Sequence, residues 1–309
     1  MNSKKILFSI IIPVREENDY LNETKQKLSK QTYKNFELLV ITDKISKSPN
    51  PCIKRNLGAK LAKGQYLCFL DDDSYPDKNW LLNITKQIKK NPNYASFCGP
   101  ALNPPHDNLL QKASGHVWSS MMGSGGAGVY RSLVSTPRFV DDYPTVNLIV
   151  KKTIFNKIGG FNIKYWPGED TIFCLDLINS NEKIYYHPSI IVYHHRRAIL
   201  KEHLAQTNRY AMHRGHFARI FPKNSLKIGY LIPSIFTIYL FTIPFHRLLF
   251  PLYLYLALLF ATFIDITIKS KNIFLALIST LTIFITHITY GILFIKGYFS
   301  SDLKFKPRS

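Results

Sequence analysis

Residues 54–77 read KRNLGAKLAKGQYLCFLDDDSYPD, and the order of these parts decides the fold. A basic pair, Lys54-Arg55, opens a segment whose small residues Gly58, Ala59 and Ala62 allow close packing on a sheet. The pattern predicts a helix over Arg55 to Ala62 and a buried strand over Gln65 to Leu70. That strand runs into Asp71-Asp72-Asp73. Three adjacent aspartates after a buried apolar strand have no packing explanation. Carboxylates at alternate positions, Asp71 and Asp73, can converge on one hard divalent cation, Mg²⁺ or Mn²⁺, which usually shares its coordination shell with substrate phosphates. The competing explanation is an acidic N-cap, from Asp73 or Ser74, for a helix around Trp80. A cap needs one acid, not three.

Upstream, the β-branched run from Lys5 to Val14 predicts a first strand. Lys4-Lys5 followed by ILFSIII imitates a signal peptide, but the run is short and ends in Pro13-Val14-Arg15-Glu16-Glu17 without a small-residue cleavage site. The front domain is expected to stay on one side of the membrane. Tyr20 to Gln31 has helical spacing at Leu21, Thr24 and Leu28, and Phe36 to Thr42 (FELLVIT) is a second buried strand. Strand, helix, strand, helix, strand is the rhythm of a parallel sheet wrapped by helices. Ligands bind such sheets at the carboxyl ends of the strands, where Glu17, Asp43 and Asp71–Asp73 fall.

Downstream, residues 99–140 accumulate Pro and Gly (GPALNPPHDN, then MMGSGGAGVY). This stretch is expected to be a loop that covers substrate or a linker. Within Gly115–Tyr130, the glycines at 123, 125, 126 and 128 beside His116 and Trp118 lead to the expectation of a lid that orders on binding. Regular structure resumes over Thr145–Val150 and Thr153–Ile158, before the turn Gly159-Gly160-Phe161. A helix is expected after Gly168-Glu169-Asp170, and a final strand over Lys183 to Tyr193. No internal repeat is visible.

Composition separates the front of the chain from its tail. Of 309 residues, 46% are hydrophobic and 19% charged, so the chain can bury a core. Residues 228–309 hold only 7 of the 40 Lys+Arg and 2 of the 20 Asp+Glu. A purely soluble enzyme is excluded by that asymmetry. The net charge of +20 suits anionic lipid or a polyphosphate ligand, and the oily tail favours these over nucleic acid, which is not expected as a partner. Cys52, Cys68, Cys98 and Cys174 are widely spaced, with neither a CxxC nor a His at ligand spacing, and read as reduced thiols.

The tail contains three apolar segments, Ile228–Phe245, Leu248–Ile268 and Ile273–Ile295. A span needs about 20 apolar residues, so the second and third qualify and the first is marginal. Arg214, Arg219, Lys223 and Lys227 before the first segment place the front domain in the cytoplasm. Three spans would then leave Lys296, Lys304, Lys306 and Arg308 outside, against the positive-inside rule. A first segment lying in the interface, followed by a two-span hairpin, avoids the conflict. The expected organisation is residues 1–198 as catalytic domain, 199–227 as a basic interface helix, and 228–309 as a membrane region with two or three transmembrane helices.

Taken together, SIIIPVREEN, ELLVITD and KRNLGAKLAKGQYLCFLDDDSYPD resemble family 2 of the glycosyltransferases, over about Ser9 to Gly215. The resemblance implies an α/β GT-A fold, a Rossmann-like mixed, mainly parallel sheet flanked by helices, followed here by C-terminal transmembrane helices. Pro13 and Glu17 match the family's PVxNE turn and Asp43 its strand-end acid, positions that hold nucleobase and ribose. Arg55-Asn56 matches its RNxG element near the nucleotide. Asp71, Asp72 and Asp73 match the aspartates that bind nucleotide-sugar and, through Asp71 and Asp73, the metal. Glu16 stands where the family has Asn, and Lys44-Ile45-Ser46 where it has Gly-Ser, so the resemblance does not fix the base.

WPGEDTIFCLDL is similar to the family's ED motif, which assigns the base to Asp170, with Glu169 beside it at the acceptor or diphosphate. A carboxylate at a helix start can take the proton of an attacking hydroxyl, or serve as an ordinary N-terminal acid. Gln206, Arg209, Tyr210, His213 and Arg214 share one helix face. They resemble the QxxRW motif of membrane-bound members, with Tyr210 for Trp, which braces the acceptor end and the leaving diphosphate. The same stripe also suits a basic helix on anionic lipid headgroups. His194-His195-Arg196-Arg197 can bind phosphate or be a solvated loop. The implied function is an inverting, metal-dependent transfer from a nucleotide-sugar to a hydroxyl of a lipid-linked or glycan acceptor at the inner membrane. The alternatives are a polyprenyl-phosphate sugar synthase, a processive polysaccharide synthase, or a nucleotide-binding scaffold without turnover.

Overall fold

The computed structural model describes residues 7–301 and 303. Lys5 and Ile6 of the expected first strand lie outside the described residues, as do Lys4 before it and the tail residues Lys304, Lys306 and Arg308. From the N-terminus, β1 (Phe8–Pro13) leads through α1 (Asp19–Ser29) to β2 (Phe36–Ile41), then through α2 (Asp43–Ser46) and α3 (Pro51–Leu61) to β3 (Tyr66–Phe69). Next come β4 (Ser74–Pro76), α4 (Trp80–Lys90), β5 (Ser96–Cys98) and β6 (Ala101–Leu102). Three helices follow: α5 (Leu109–Ser119), α6 (Met121–Ser124) and α7 (Gly128–Arg131). The chain returns through β7 (Arg138–Val140), β8 (Leu148–Lys151), α8 (Lys152–Lys157), α9 (Glu169–Asn179), β9 (Ile184–Tyr186) and β10 (Val192–His194). It closes with α10 (Lys201–Ile220), α11 (Pro222–Ser225), α12 (Ile228–His246), α13 (Phe250–Ser270) and α14 (Ile273–Phe299).

Two compact units result. One holds the described residues up to Leu102 together with Val134–His194; the other holds Asn103–Leu133 and the described chain from His195 onward. Residues 103–133, grouped with the front of the chain on sequence grounds, thus cluster with the C-terminal helices.

The first unit is built on a mixed sheet of order β2-β1-β3-β8-β5-β9-β7. Every residue of β1 is buried, as expected for a strand covered on both faces. β1 pairs in parallel with β2 on one side and β3 on the other. The carboxyl ends of β1, β2 and β3 therefore open at one edge, around a point where strand order reverses. β8 then runs antiparallel between β3 and β5, which makes the sheet mixed. The helix expected from Arg55 begins earlier, at Pro51, because the Asn50 side chain accepts from the Cys52 amide and Pro51 occupies the first turn. The single strand expected over Lys183–Tyr193 is two strands. His187-Pro188-Ser189 turns the chain between β9, in the large sheet, and β10, which lies between β4 and β6 in a small sheet. Buried Asn147 receives the Trp80 indole N–H at 3.0 Å and donates to the Gly99 and Ile190 carbonyls at 2.7 Å each, tying the two sheets together.

In the second unit α5, α10, α12 and α13 all pack on α14. The expectation of a loop over 99–140 does not hold through its middle: α5 to α7 occupy most of residues 109–131. Asn108 and Gln111 form a reciprocal capping box at the start of α5, an Asn-x-x-Gln signal readable in the sequence. Gly115, Gly123 and Gly128 give room for packing. A Cβ there would strike the Asn103 amide, the Val117 carbonyl and the Trp118 carbonyl respectively. α12, α13 and α14 (19, 21 and 27 residues, hydropathy 1.7 to 1.8) are long and apolar enough to cross a membrane.

Candidate active site

The sequence-predicted acids of the first unit gather where β1, β2 and β3 end. Asp43 follows β2 at the start of α2, and its carboxylate pairs with the ammonium of Lys54, which is only 4% exposed and also donates to the Val14 carbonyl at 2.8 Å. Lys54 is a partner that the motif reading left without a role; its place beside Arg55 in the opening basic pair was the available signal.

Arg55 is the centre of the site. It is buried, and its guanidinium bridges Asp71 Oδ1 at 2.7 Å and Glu169 Oε1 at 2.6 Å. The two carboxylates hold it firmly protonated against the opposing effect of burial. Its ring neighbour Phe161 lies 5.8 Å from the guanidinium carbon. Phe161 is fixed in turn by Asn56, whose amide receives the Phe161 N–H at 2.9 Å and donates to its carbonyl at 2.8 Å. The turn before it uses Gly160 at φ +75. The RNxG and ED motifs, more than a hundred residues apart, are thus one hydrogen-bonded element.

Glu169 was expected at the acceptor or diphosphate. It is buried, with Oε1 on Arg55 and Oε2 accepting from the Gly168 amide at 3.0 Å. Both oxygens are engaged in holding structure. Gly168 sits at φ +122, a conformation closed to ordinary side chains, and this kink starts α9 with Glu169 and Asp170 in its first turn. Asp170 Oδ1 accepts from the Thr171 amide at 2.8 Å, and the residue is half-buried. Cys52, fully buried nearby, has its thiol pushed well up by burial and then by the Glu169 charge.

The aspartate triplet divides its work. Asp71 turns toward Arg55. Asp72 Oδ2 accepts from Asn18 Nδ2 at 3.0 Å, and its pKa is raised to about 6, by burial first and by Asp73 next, with the Asn18 bond opposing. Asp73 Oδ1 lies 3.1 Å from His194 Nε2. Ligand atoms of Asp71, Asp73 and His194 all lie within 4.8 Å of one another. Two carboxylates and one imidazole so arranged form a donor set suited to a hard divalent ion. His194 entered the sequence reading only as a possible phosphate group; its position at the end of a strand was the sign of a cleft-facing residue. Pro13 ends β1 as expected. Glu17 lies on the surface, 2.9 Å from Lys25, with its side chain 65% exposed.

In the second unit, Gln206, Arg209 and Tyr210 lie on α10. Gln206 Nε2 donates to the Tyr210 hydroxyl at 3.0 Å, and Arg209 Nε to the Ala205 carbonyl at 3.2 Å. Trp118 approaches both Tyr210 and His203, with centroids 6.2 and 5.5 Å away. His203 Nδ1 is 2.8 Å from Ser114 Oγ. Burial lowers its pKa to about 4.

Residues 45–163 match the family model "Glycosyl transferase family 2". The chain is 25% identical, over 96% of its length and 99% of the relative's, to a dolichyl N-acetyl-alpha-D-glucosaminyl phosphate 3-beta-D-2,3-diacetamido-2,3-dideoxy-beta-D-glucuronosyltransferase of Methanococcus voltae. Over 22% of this chain and 36% of the relative, it is 36% identical to a UDP-Glc:alpha-D-GlcNAc-diphosphoundecaprenol beta-1,3-glucosyltransferase of Escherichia coli. Among solved structures, a mannosyltransferase from Pyrobaculum calidifontis in complex with GDP-Man and Mn²⁺ aligns with a TM-score of 0.48 and 17% identity, covering 71% of this chain and 65% of that one.

Proposed function

We propose that this chain, of which residues 45–163 match glycosyl transferase family 2 and which carries three C-terminal helices long and apolar enough to cross a membrane, is an inverting transferase that moves a sugar from a nucleoside-diphosphate sugar to a hydroxyl of a lipid-linked acceptor. The observation that carries the reading is the joined set Asp71–Arg55–Glu169 with Asp73 and His194 at the ends of the parallel strands. The lipid-linked acceptor is proposed from the Methanococcus relative, named for a dolichyl-phosphate substrate and matched over nearly its whole length. The basic residues that flank α12 support a catalytic unit on the cytoplasmic face of the cell membrane.

Asp71, Asp73 and His194 are the residues that would hold Mn²⁺ or Mg²⁺. Bound there, the ion would supply Lewis-acid stabilisation of charge on the leaving diphosphate. Arg55 keeps Asp71 oriented and, through Glu169, fixes the start of α9. Asp170, the next residue along, takes the proton from the acceptor oxygen as that oxygen attacks the anomeric carbon from the face opposite the diphosphate. Asp72 and Asn18 line the donor side, with Pro13, Glu17 and Asp43 toward the nucleoside. Gln206, Arg209 and Tyr210 are proposed to serve the acceptor end and the diphosphate, on the strength of the family motif.

The test separates chemistry from binding. Asp170→Asn should lower transfer by about 10²–10⁴-fold, the usual worth of a positioned base, while leaving nucleotide-sugar affinity unchanged. Full transfer in that variant would defeat the assignment.

A further inference from the structure

Length and hydropathy allow α12, α13 and α14 to cross a bilayer, but their packing within the second unit points elsewhere. α14 is the axis of that unit, and α10 packs along it more extensively than any other element. The two run in the same direction. His203, near the start of α10, bonds Ser114 of α5, whose neighbour Ala113 accepts from Ser279 near the start of α14. At the other end, Gly215 lies against Phe294 and Tyr298, and both His216 and Arg219 reach the Ser300 carbonyl. From residue 279 to residue 300 α14 rises about 32 Å, close to the ~30 Å of a hydrocarbon core. α5 covers α14 near its start, and α10 lies against it from Phe294 to Ser300.

α10 is no membrane helix. It carries Lys201, Glu202, Arg209, Arg214 and Arg219. Nor can lipid enter between it and α14. A Cβ on Gly215 would strike the Phe294 carbonyl, and one on Gly297 the Met212 carbonyl, so the two backbones touch. An α14 that crossed the bilayer would carry those arginines with it into hydrocarbon, where charged side chains are strongly disfavoured.

α12 and α13 pack on further sides of α14, while Leu277, Leu281 and Ile292 stay exposed on its outer side. Ser234 Oγ donates to the Gly291 carbonyl at 3.2 Å, and Phe236 stacks on Tyr255 with ring centroids 3.9 Å apart. The Tyr255 hydroxyl meets His287 Nδ1 at 3.0 Å, and His287 Nε2 donates to the Met122 carbonyl at 3.0 Å. The outward faces of these two helices are apolar and exposed, with Ile235 and Phe241 on α12 and Leu254 and Phe260 on α13. Arg247 and Lys271 occupy the turns that end α12 and α13. The unit is thus amphipathic as a whole: charged along α10, apolar on α12 and α13, basic at the turns.

We propose that α12–α14 do not cross the membrane but lie within a single leaflet, with α12 and α13 among the acyl chains and α10 on the aqueous side. Arg247, Lys269 and Lys271 then meet the phosphates of anionic headgroups. The arrangement also removes the positive-inside conflict, because Lys296 and the basic turns all stay on the side of the catalytic unit.

Single cysteines test it in the full-length chain, whose four native thiols are buried. Lys30→Cys marks the catalytic side; Leu248→Cys, Lys269→Cys and Ser301→Cys mark the two turns and the end of α14. Each is exposed to a membrane-impermeant maleimide in sealed spheroplasts and in inverted inner-membrane vesicles. The proposal expects all four to label in the same preparation. A two-span hairpin would label Lys269→Cys only in the opposite preparation, and three spans would do so for Leu248→Cys and Ser301→Cys; either pattern overturns it. Trypsin on the wild-type chain gives a second reading that needs no variant. Cuts after Arg247 and Lys271 from the side that also cuts after Lys30 support the single-leaflet arrangement, and cuts at either turn only from the other side refute it.

Discussion

Removing the charge of Arg55 should do more damage than removing both of its partners' need for it. Arg55→Met keeps much of the volume but strands two carboxylates. Asp71 has a side chain 29% exposed and can recover solvation, so its share of the loss is small. Glu169 is different: its side chain is 7% exposed, and without Arg55 it keeps only the Gly168 amide. Breaking a buried pair costs about 3–5 kcal/mol because the remaining charge is uncompensated. At about 2–4 °C per kcal/mol for a unit of this size, the melting temperature should fall by roughly 6–20 °C. Trp80, fully buried in the first unit, reports the transition by fluorescence in detergent-solubilised protein. Glu169→Gln in the Arg55→Met background removes the stranded charge while keeping the shape. It should restore about half of the loss or more, because contacting residues couple non-additively. A melting temperature for Arg55→Met within 2 °C of wild type, or no rescue by Glu169→Gln, would refute the argument that this buried chain organises the site.

Further outcomes follow from neighbouring residues. Asp72 titrates near pH 6 in the folded chain against an ordinary value near 3.8. The folded state binds the extra proton, so Asp72 weakens stability as pH rises from about 4 through 6. Urea unfolding of Asp72→Asn should match wild type near pH 4 and show the variant more stable above pH 7. His203 has the opposite sign: its pKa is lowered to about 4, so its contribution is present above pH 6.5 and is lost as pH falls toward 4. His203→Gln should reduce the acid sensitivity of the second unit between those limits, measured by thermal shift across that range. Gly297→Val drives a side chain into the Met212 carbonyl; overpacking of this kind costs about 1–3 kcal/mol or more, and the variant should melt several degrees lower than wild type in detergent.

Legibility in the sequence tracked how local the physics was. The strand before Asp71 and the acids at its end were readable because apolar runs and adjacent charges act over a few residues. Asn50-Pro51 and the Asn108–Gln111 box were equally local, and reading them would have moved the start of α3 and replaced the expected loop with α5. The bond from Arg55 to Glu169 spans 114 positions, and nothing in either motif says that one guanidinium serves both. That is why Glu169 read as a group facing substrate when its oxygens are committed to Arg55 and Gly168. Gly115, Gly123 and Gly128 mislead for the same reason, whereas Gly125 and Gly126 do take positive φ, +57 and +87. A glycine tells that a side chain is not tolerated, but not what would collide with it; at Gly115, Gly123 and Gly128 the neighbour is the protein's own chain. The tail shows the limit most sharply. Hydropathy scores each helix as if lipid surrounded it, whereas the fate of α14 depends on the polar helix packed along it, and the small residues Gly215 and Gly297, which bring the two backbones into contact, belong to segments more than eighty residues apart.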